Sequence, residues 1–299
     1  MTLQQLKYVV TVAECGNITE AAKQLFVSQP TVTSAIHDLE KEMQIVIFVR
    51  TNKGVILSED GERFLGHARQ VLEQVDLIEG IYKNDVVSKP HFAVSCQHYS
   101  FAVNAFVDVI RRFDAYQYDF TIREEQTHEI IEDVTNLKSE LGVIYLSSKN
   151  TEVLSKMLKR NELEFSELFT ATPHVFICDS HPLAKKNSIT MEDLQDYPYL
   201  TYEQGEYNSQ YFSEEFVSTL DSRKNIRVRD RATLFNLIIG LNGYTVCSGV
   251  ISAELNGRNI ISKPLDVEEY MQIGIITRKG VVLSRYAREY IEALKAHCM

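Results

Sequence analysis

Between Ser28 and Glu40 the chain reads Ser-Gln-Pro-Thr-Val-Thr-Ser-Ala-Ile-His-Asp-Leu-Glu, a run dense in short groups that donate and accept hydrogen bonds. On a helix, Gln29, Thr31, Thr33, Ser34 and His37 share one side. Val32, Ile36, Leu39 and Met43, at steps of four, three and four, form an apolar stripe on the other. Ser28 is a good N-cap, and Pro30 falls in the first turn, where no acceptor waits for its missing N–H. A solvated helix face normally carries Lys and Glu. Short amides and hydroxyls near a helix N-terminus suit instead the edges of bases in a major groove. The chemistry expected of this run is the reading of double-stranded DNA.

Such a helix needs a frame. Thr2-x-x-Gln5 is a capping box opening a first helix with Leu3, Leu6, Val9 or Val10 and Ala13 inward, and Gly16 stands where a C-cap belongs. A second helix is expected from near Thr19, its Ala21, Ala22 and Leu25 small enough for close crossing, and Leu25–Ser28 turns into the reading helix. Ile45–Arg50 and Val55–Leu57, joined by Thr51-Asn52-Lys53-Gly54, predict a hairpin wing that stands Arg50 and Lys53 beside phosphates or in the minor groove. Thr19 joins the candidate DNA contacts.

Asn17-Ile18-Thr19-Glu20-Ala21-Ala22, Leu25, Val27-Ser28-Gln29-Pro30-Thr31-Val32-Thr33, Ile36, Leu39-Glu40, Phe48 and Arg50 closely resemble the N-terminal signature of LysR-type transcriptional regulators. The resemblance implies that the Ser-Gln-Pro helix enters the major groove. It puts Gln29, Pro30, Thr31, Thr33 and Ser34 on DNA-facing positions, with Arg50 and Lys53 in the wing. Two departures stand out. Met43-Gln44 replaces the Leu-Gly common after the reading helix, and Ser34 and His37 occupy places where arginines are frequent.

Ser58 is expected to cap a long helix to about residue 84. Phe64, Ala68, Val71, Val75, Ile78 and Tyr82 form a heptad seam along it, which predicts dimerisation; the resemblance implies a linker and dimer helix at this place. Asn84–Pro90 is polar and ends in proline, a candidate hinge.

Beyond it, strands alternate with helices. Strands are expected at Phe92–Cys96, Phe120–Arg123, Leu141–Leu146, Val175–Cys178, Tyr199–Thr201, Ile226–Arg229, Tyr244–Cys247 and Ile273–Thr277, and Ile260–Leu265, with Pro264, is expected as a return crossing. Helices are expected near 100–113, 127–137, 207–219 and 231–241, with a last one capped by Ser284. That alternation predicts parallel α/β sheets. The fold class expected is an N-terminal winged helix-turn-helix, mainly α, with a long linker helix and a C-terminal α/β two-lobed domain. Its divisions are 1–58 for DNA binding, 59–89 for linker and dimerisation, and 90–299 for effector binding. Lobe I takes about 90–164 and 266–299, lobe II about 165–265. The last domain resembles the family's effector domain, itself similar to periplasmic solute-binding proteins, and His181-Pro182-Leu183-Ala184 is a phrase common there.

In such sheets ligands lie beyond the carboxyl ends of strands. The loops there are donor-rich, so Ser95, Gln97, His98, Ser100, Ser147, Thr201, Gln204 and Ser248 are the candidate effector-binding residues, and a helix start among hydroxyls favours a small anionic effector.

The remaining classes are narrowed by what the sequence lacks. His98 or His128 with Cys96 or Glu124 can be imagined as a catalytic set. Yet there is no G-x-S-x-G elbow, phosphate loop, dinucleotide glycine run or H-E-x-x-H helix. Five cysteines, Cys15, Cys96, Cys178, Cys247 and Cys298, are odd in number and contain no C-x-x-C, which opposes a disulfide framework and a zinc site. No cofactor or metal is expected. No run of 18 apolar residues occurs, so a cytoplasmic protein without membrane contact is expected.

The net charge of −10 is unusual for a DNA binder, and within 1–58 five cations (Lys7, Lys23, Lys41, Arg50, Lys53) balance five acids (Glu14, Glu20, Asp38, Glu40, Glu42). Phosphate attraction alone is therefore weak, and two reading heads must act together. The expected function is a LysR-type regulator whose operator binding is modulated by a small metabolite held between two lobes. The expected partners are an interrupted inverted repeat in duplex DNA, the effector, RNA polymerase and further copies of the chain as dimer or tetramer.

Overall fold

The computed structural model describes residues 1–52, 54–83, 90–113, 117–205, 209, 211–215, 223–251 and 257–298, with backbone only at 73, 76, 77, 80–83 and 298. It divides into two compact units, one of Met1–Pro90 with Asn136–Lys138, the other of His91–Thr135 and Ser139–Met299.

In the first unit, α1 (Leu3–Cys15), α2 (Ile18–Gln24) and α3 (Gln29–Met43) enclose a core of Tyr8, Val9, Val12, Ala21, Ala22, Val32, Ile36 and Leu39. Both ends of α1 have the predicted caps, Thr2 reciprocally with Gln5 and Gly16 in the left-handed region. α2 starts one residue earlier than Thr19 because Asn17 caps it, accepting the N–H groups of Thr19 at 2.8 Å and Glu20 at 3.2 Å. Ser28 caps α3, which closes on Gln44 with φ +57°, the left-handed position that glycine fills most easily.

The wing is β1 (Phe48–Thr51) against β2 (Gly54–Leu57). The expected first strand, Ile45–Arg50, is shortened at its start. The Glu40 carboxylate accepts the N–H groups of Ile47 at 2.7 Å and Phe48 at 3.1 Å, so side-chain capping replaces strand pairing there. Gly54, at φ +141°, lies so close to α1 that a Cβ would stand 2.3 Å from the Gly16 carbonyl oxygen, and Val55 N–H donates to that same oxygen at 2.9 Å.

The linker helix is α4 (Glu59–Lys83). Its first turns pack on α1, with Leu65 buried and Phe64 against the domain core. Ala68 is buried, Val75 is half-buried, and Val71 and Ile78 are exposed. The Tyr82 side chain, the hinge at 84–89 and Lys53 lie outside the described residues.

In the second unit, one five-stranded sheet has the order β4 (Asp119–Glu124), β3 (His91–Cys96), β5 (Leu141–Leu146), β12 (Met271–Arg278), β6 (Leu163–Ala171). β4, β3 and β5 are parallel, as βαβ connections through α5 (Ser100–Arg112) and α6 (Thr127–Thr135) require. β12 and β6 are antiparallel additions, so this sheet is mixed rather than parallel throughout. The chain returns from the second lobe to insert β12 between two strands already laid down. α7 (Thr151–Arg160) crosses from β5 to β6, and α9 (Arg285–Cys298) starts after Ser284, whose hydroxyl accepts Ala287 N–H.

The second lobe pairs β7 (His174–Cys178) antiparallel with β10 (Thr245–Cys247) and β11 (Ile260–Pro264). Beside them lie the parallel pair β8 (Tyr199–Tyr202) and β9 (Asn225–Val228), and α8 (Arg231–Leu241). The antiparallel sheet departs from the expected parallel one. The helix expected near 207–219 falls largely outside the described residues, and Tyr211–Glu215 within it is turn and bend.

Two crossings join the lobes and run side by side: Ala171 pairs with Met271 at one end, His174 with Pro264 at the other, and Leu265 N–H donates to Pro173 in between at 3.0 Å.

Candidate functional site

Two sites emerge, one in each unit. On the first, Thr19, Gln29, Pro30, Thr31, Ser34, His37 and Arg50 are exposed and Thr33 is half-buried. The amide of Gln29 donates to Thr33 Oγ1 at 2.8 Å, and the Ser28 and Thr31 hydroxyls lie 2.7 Å apart, so the short polar groups orient one another before any partner arrives. Several acids nearby are already engaged. Glu40 caps the wing, Glu42 pairs with the N-terminal amine at 2.6 Å and Glu20 with Lys23 at 3.3 Å. The neutral charge balance of residues 1–58 therefore hides local pairing that leaves hydroxyls and amides in front.

In the second unit a cleft of about 480 Å³, partly open to solvent, is walled by both lobes. The first lobe contributes His98 and Tyr99 from the turn between β3 and α5, and Ser100 from the first position of α5. The second contributes Phe176, Tyr202, Glu214, Glu215, the start of α8 (Arg231, Leu234, Phe235), β10 and the following Ser248 and Val250.

Its charges come in pairs. His98 Nδ1 lies 2.8 Å from Glu214 Oε2, and both side chains are only 4% exposed. His98 Nε2 faces the Arg229 carbonyl at 3.1 Å. Both ring nitrogens thus face oxygens, an arrangement that an imidazolium satisfies with two donors. Burial alone would lower its pKa, but the Glu214 charge and hydrogen bond outweigh that and raise it. Glu214 also accepts His98 N–H at 2.9 Å and the Gln204 amide at 3.2 Å. Tyr202 stacks flat on the imidazole, 3.9 Å between centroids. Arg231 pairs with Glu124 at 3.0 Å. Burial, and then the neighbouring Glu214 charge, push the Glu215 carboxyl up to about 8, although it accepts the N–H of Tyr202 and the hydroxyl of Ser213.

Cysteine chemistry is subdued. Cys15, Cys96, Cys178 and Cys247 are free, and burial raises the thiols of Cys96 and of Cys247, which borders the cleft. A thiol held protonated is a poor nucleophile. Among the described residues no group of three His, Cys, Asp or Glu side chains could hold a metal ion.

Residues 3–62 match the family described as bacterial regulatory helix-turn-helix protein, lysR family, and residues 96–299 match the LysR substrate binding domain. The chain belongs to the LysR family. Among curated relatives, the uncharacterized HTH-type transcriptional regulator YvbU of Bacillus subtilis is 22% identical, covering 99% of this chain and 98% of its own. The DNA-binding transcriptional dual regulator OxyR of Escherichia coli is 23% identical, covering 99% and 95%. Among solved structures, a full-length OxyR variant from Pseudomonas aeruginosa superposes with a TM-score of 0.65 at 21% identity, covering 99% and 95%. CbnR, a LysR family transcriptional regulator, does so at 0.54 and 18%, covering all of both chains. These similarities carry the fold, and the family makes this protein a DNA-binding transcriptional regulator with an effector-binding domain rather than an enzyme. No helix among the described residues is long and apolar enough to cross a membrane.

In this LysR-type regulator the expected effector residues divide. His98, Ser100 and Ser248 border the cleft. Gln204 stands behind it, holding Glu214. Ser95 is buried in β3 against Asp133 and Ser139, and Gln97 is bound by Thr127, Tyr99 and Tyr145. Ser147 is tied to Asn150, and Thr201 in β8 is not among the lining residues, where its neighbour Tyr202 stands. Sequence reasoning missed Glu214, Glu215, Tyr202, Arg231 and Thr245. Arg231 alone carried a signal. A cation in the first turn of a helix opposes the helix dipole and needs another reason to be there, here Glu124.

Proposed function

We propose that this regulator binds an interrupted inverted repeat through paired winged domains, and that a small metabolite held in the cleft between the lobes alters that binding. The observation carrying the second half is the lining itself. His98 and Ser100 come from one lobe, Thr245 and Ser248 from the other, so a ligand touching both favours one lobe arrangement over another. Exposed Val71 and Ile78 on α4 support pairing of chains into dimers or tetramers, and RNA polymerase is the further partner such a regulator addresses.

The anionic character expected of the effector gains no support from the cleft, because His98 and Arg231 each already hold a carboxylate. Peroxide induction, which names some relatives, is likewise not carried over, since desolvation raises the thiols of buried Cys96 and half-buried Cys247 and keeps them protonated.

The test is DNase footprinting of the chain on DNA flanking its own gene, with and without compounds that raise its melting temperature in a metabolite screen. A footprint whose length or phasing changes with such a compound, and no longer changes when Val250→Trp fills the cleft, supports the reading. A footprint that responds equally in the filled variant overturns it.

A further inference from the structure

Resting on that reading of the cleft, we propose that its ligand is a small organic cation, an amine on an apolar, ring-sized body, with Glu215 as the counter-charge. Among the described residues, every other charge lining the cleft has an opposite partner: His98 has Glu214, and Arg231 has Glu124. Glu215 is buried, and the partners of its two oxygens are neutral donors, the Tyr202 N–H at 2.7 Å and the Ser213 hydroxyl at 3.0 Å.

The Tyr202 N–H can only donate, so one oxygen always accepts; the Ser213 hydroxyl can donate or accept, so it serves the carboxylate and the protonated acid alike. Burial and the Glu214 charge keep the proton on to about pH 8. The site thus holds a carboxyl group among neutral partners and lacks, among the described residues, the cation that would hold it ionised. An ammonium group supplies that charge, and the displaced proton leaves to solvent.

A second observation points to a ligand independently. Thr245 borders the cleft, is 4% exposed, and its hydroxyl has no hydrogen-bond partner in the structure. A buried hydroxyl without a partner is costly, and a polar atom of a ligand satisfies it. The remaining walls define the ligand's body. Phe176, Tyr202, Leu234 and Phe235 present rings and hydrocarbon, which bury an apolar group and whose π-faces attract a cation. An anion would meet Glu214 and Glu215 and would have to displace a carboxylate from His98 or Arg231.

The test compares 2-phenylethylamine with 3-phenylpropionate, the same ring with opposite charge, by calorimetry on the full chain. The amine binds and the acid does not. Glu215→Gln, which keeps both hydrogen bonds but cannot ionise, weakens amine binding by about tenfold. Phe235→Leu, a milder change on α8, weakens it by about threefold and guards against a folding defect in the first variant. Acid binding as tight as amine binding, or amine binding unchanged in Glu215→Gln, overturns the cationic class and leaves the cleft as an effector site. Binding of neither probe also overturns the class. The effector reading falls with it only if the footprint response found in the metabolite screen survives Val250→Trp.

Discussion

His98 of one lobe and Glu214 of the other form an ion pair closed to solvent, 2.8 Å from Nδ1 to Oε2, with the backbone N–H of the same histidine donating to the same carboxylate. The first lobe is thereby fastened to the second by a pair whose halves are each expensive to leave alone. Glu214→Gln is expected to lower the unfolding free energy by on the order of 3 kcal/mol, since removing one partner strands a buried imidazolium. Urea unfolding followed by far-ultraviolet circular dichroism checks this.

The same groups set a pH dependence. The His98 pKa is raised above its ordinary 6.5, so its stabilising contribution is complete below 6.5 and fades as pH climbs through the folded value. Glu215 is raised from 4.5 to about 8, so the folded state is progressively disfavoured as pH rises over that interval. Both shifts tilt stability toward mild acid. The melting temperature is expected to be higher near pH 6 than near pH 9, with the slope reduced in Glu215→Gln; a flat profile across that range contradicts the assignment.

Base reading and phosphate holding should separate by mutation. Gln29→Ala removes an exposed amide already oriented by Thr33 and is expected to cost about 1–3 kcal/mol on the operator, with little effect on random duplex. Arg50→Ala, on the wing, should weaken both about equally and reduce the salt slope of binding by roughly one. Fluorescence anisotropy across a salt series distinguishes the two.

Gln44 ends the reading helix in the left-handed region that L side chains adopt at a cost. Gln44→Gly is expected to raise the thermal stability of the winged unit by about 1 kcal/mol without changing sequence preference, which differential scanning calorimetry and the same anisotropy assay would register. Gly54 is the opposite case. A Cβ there would stand 2.3 Å from the Gly16 carbonyl, so Gly54→Ala should lift the wing from α1 and weaken DNA binding.

The seam on α4 divides by burial. Ala68, with Leu65 beside the seam, is buried, whereas Val71 and, at 58% exposure, Ile78 are uncovered. Val71→Glu with Ile78→Glu is expected to shift the chain toward monomer in sedimentation velocity and to abolish cooperative operator binding while leaving its fold intact. Unchanged sedimentation would assign those side chains another role.

The winged unit was legible because its signals are local: caps, a 3.6-residue stripe, and a turn glycine identify themselves within a few positions. Even its errors were local, as at Ile47, where a side chain seven residues upstream replaces strand pairing. The effector unit was legible strand by strand but not in direction. β6 and α7 carried no expectation at all, and the insertion of β12 between β5 and β6 depends on pairings more than a hundred residues apart, which no periodicity records. The cleft was harder still. Glu214 and Glu215 look like a solvated acidic pair in sequence, and only tertiary packing reveals that they are buried. Ser95 and Gln97 erred the other way. Polar residues at the end of a strand suggested a ligand, and the fold gave them partners within the protein.

The twin connections at Ala171–His174 and Pro264–Met271 are stitched to each other at both ends. Because the two crossings are paired with each other, one lobe cannot turn against the other without carrying both of them along, and His98 and Ser248 face the cleft from the two sides they join.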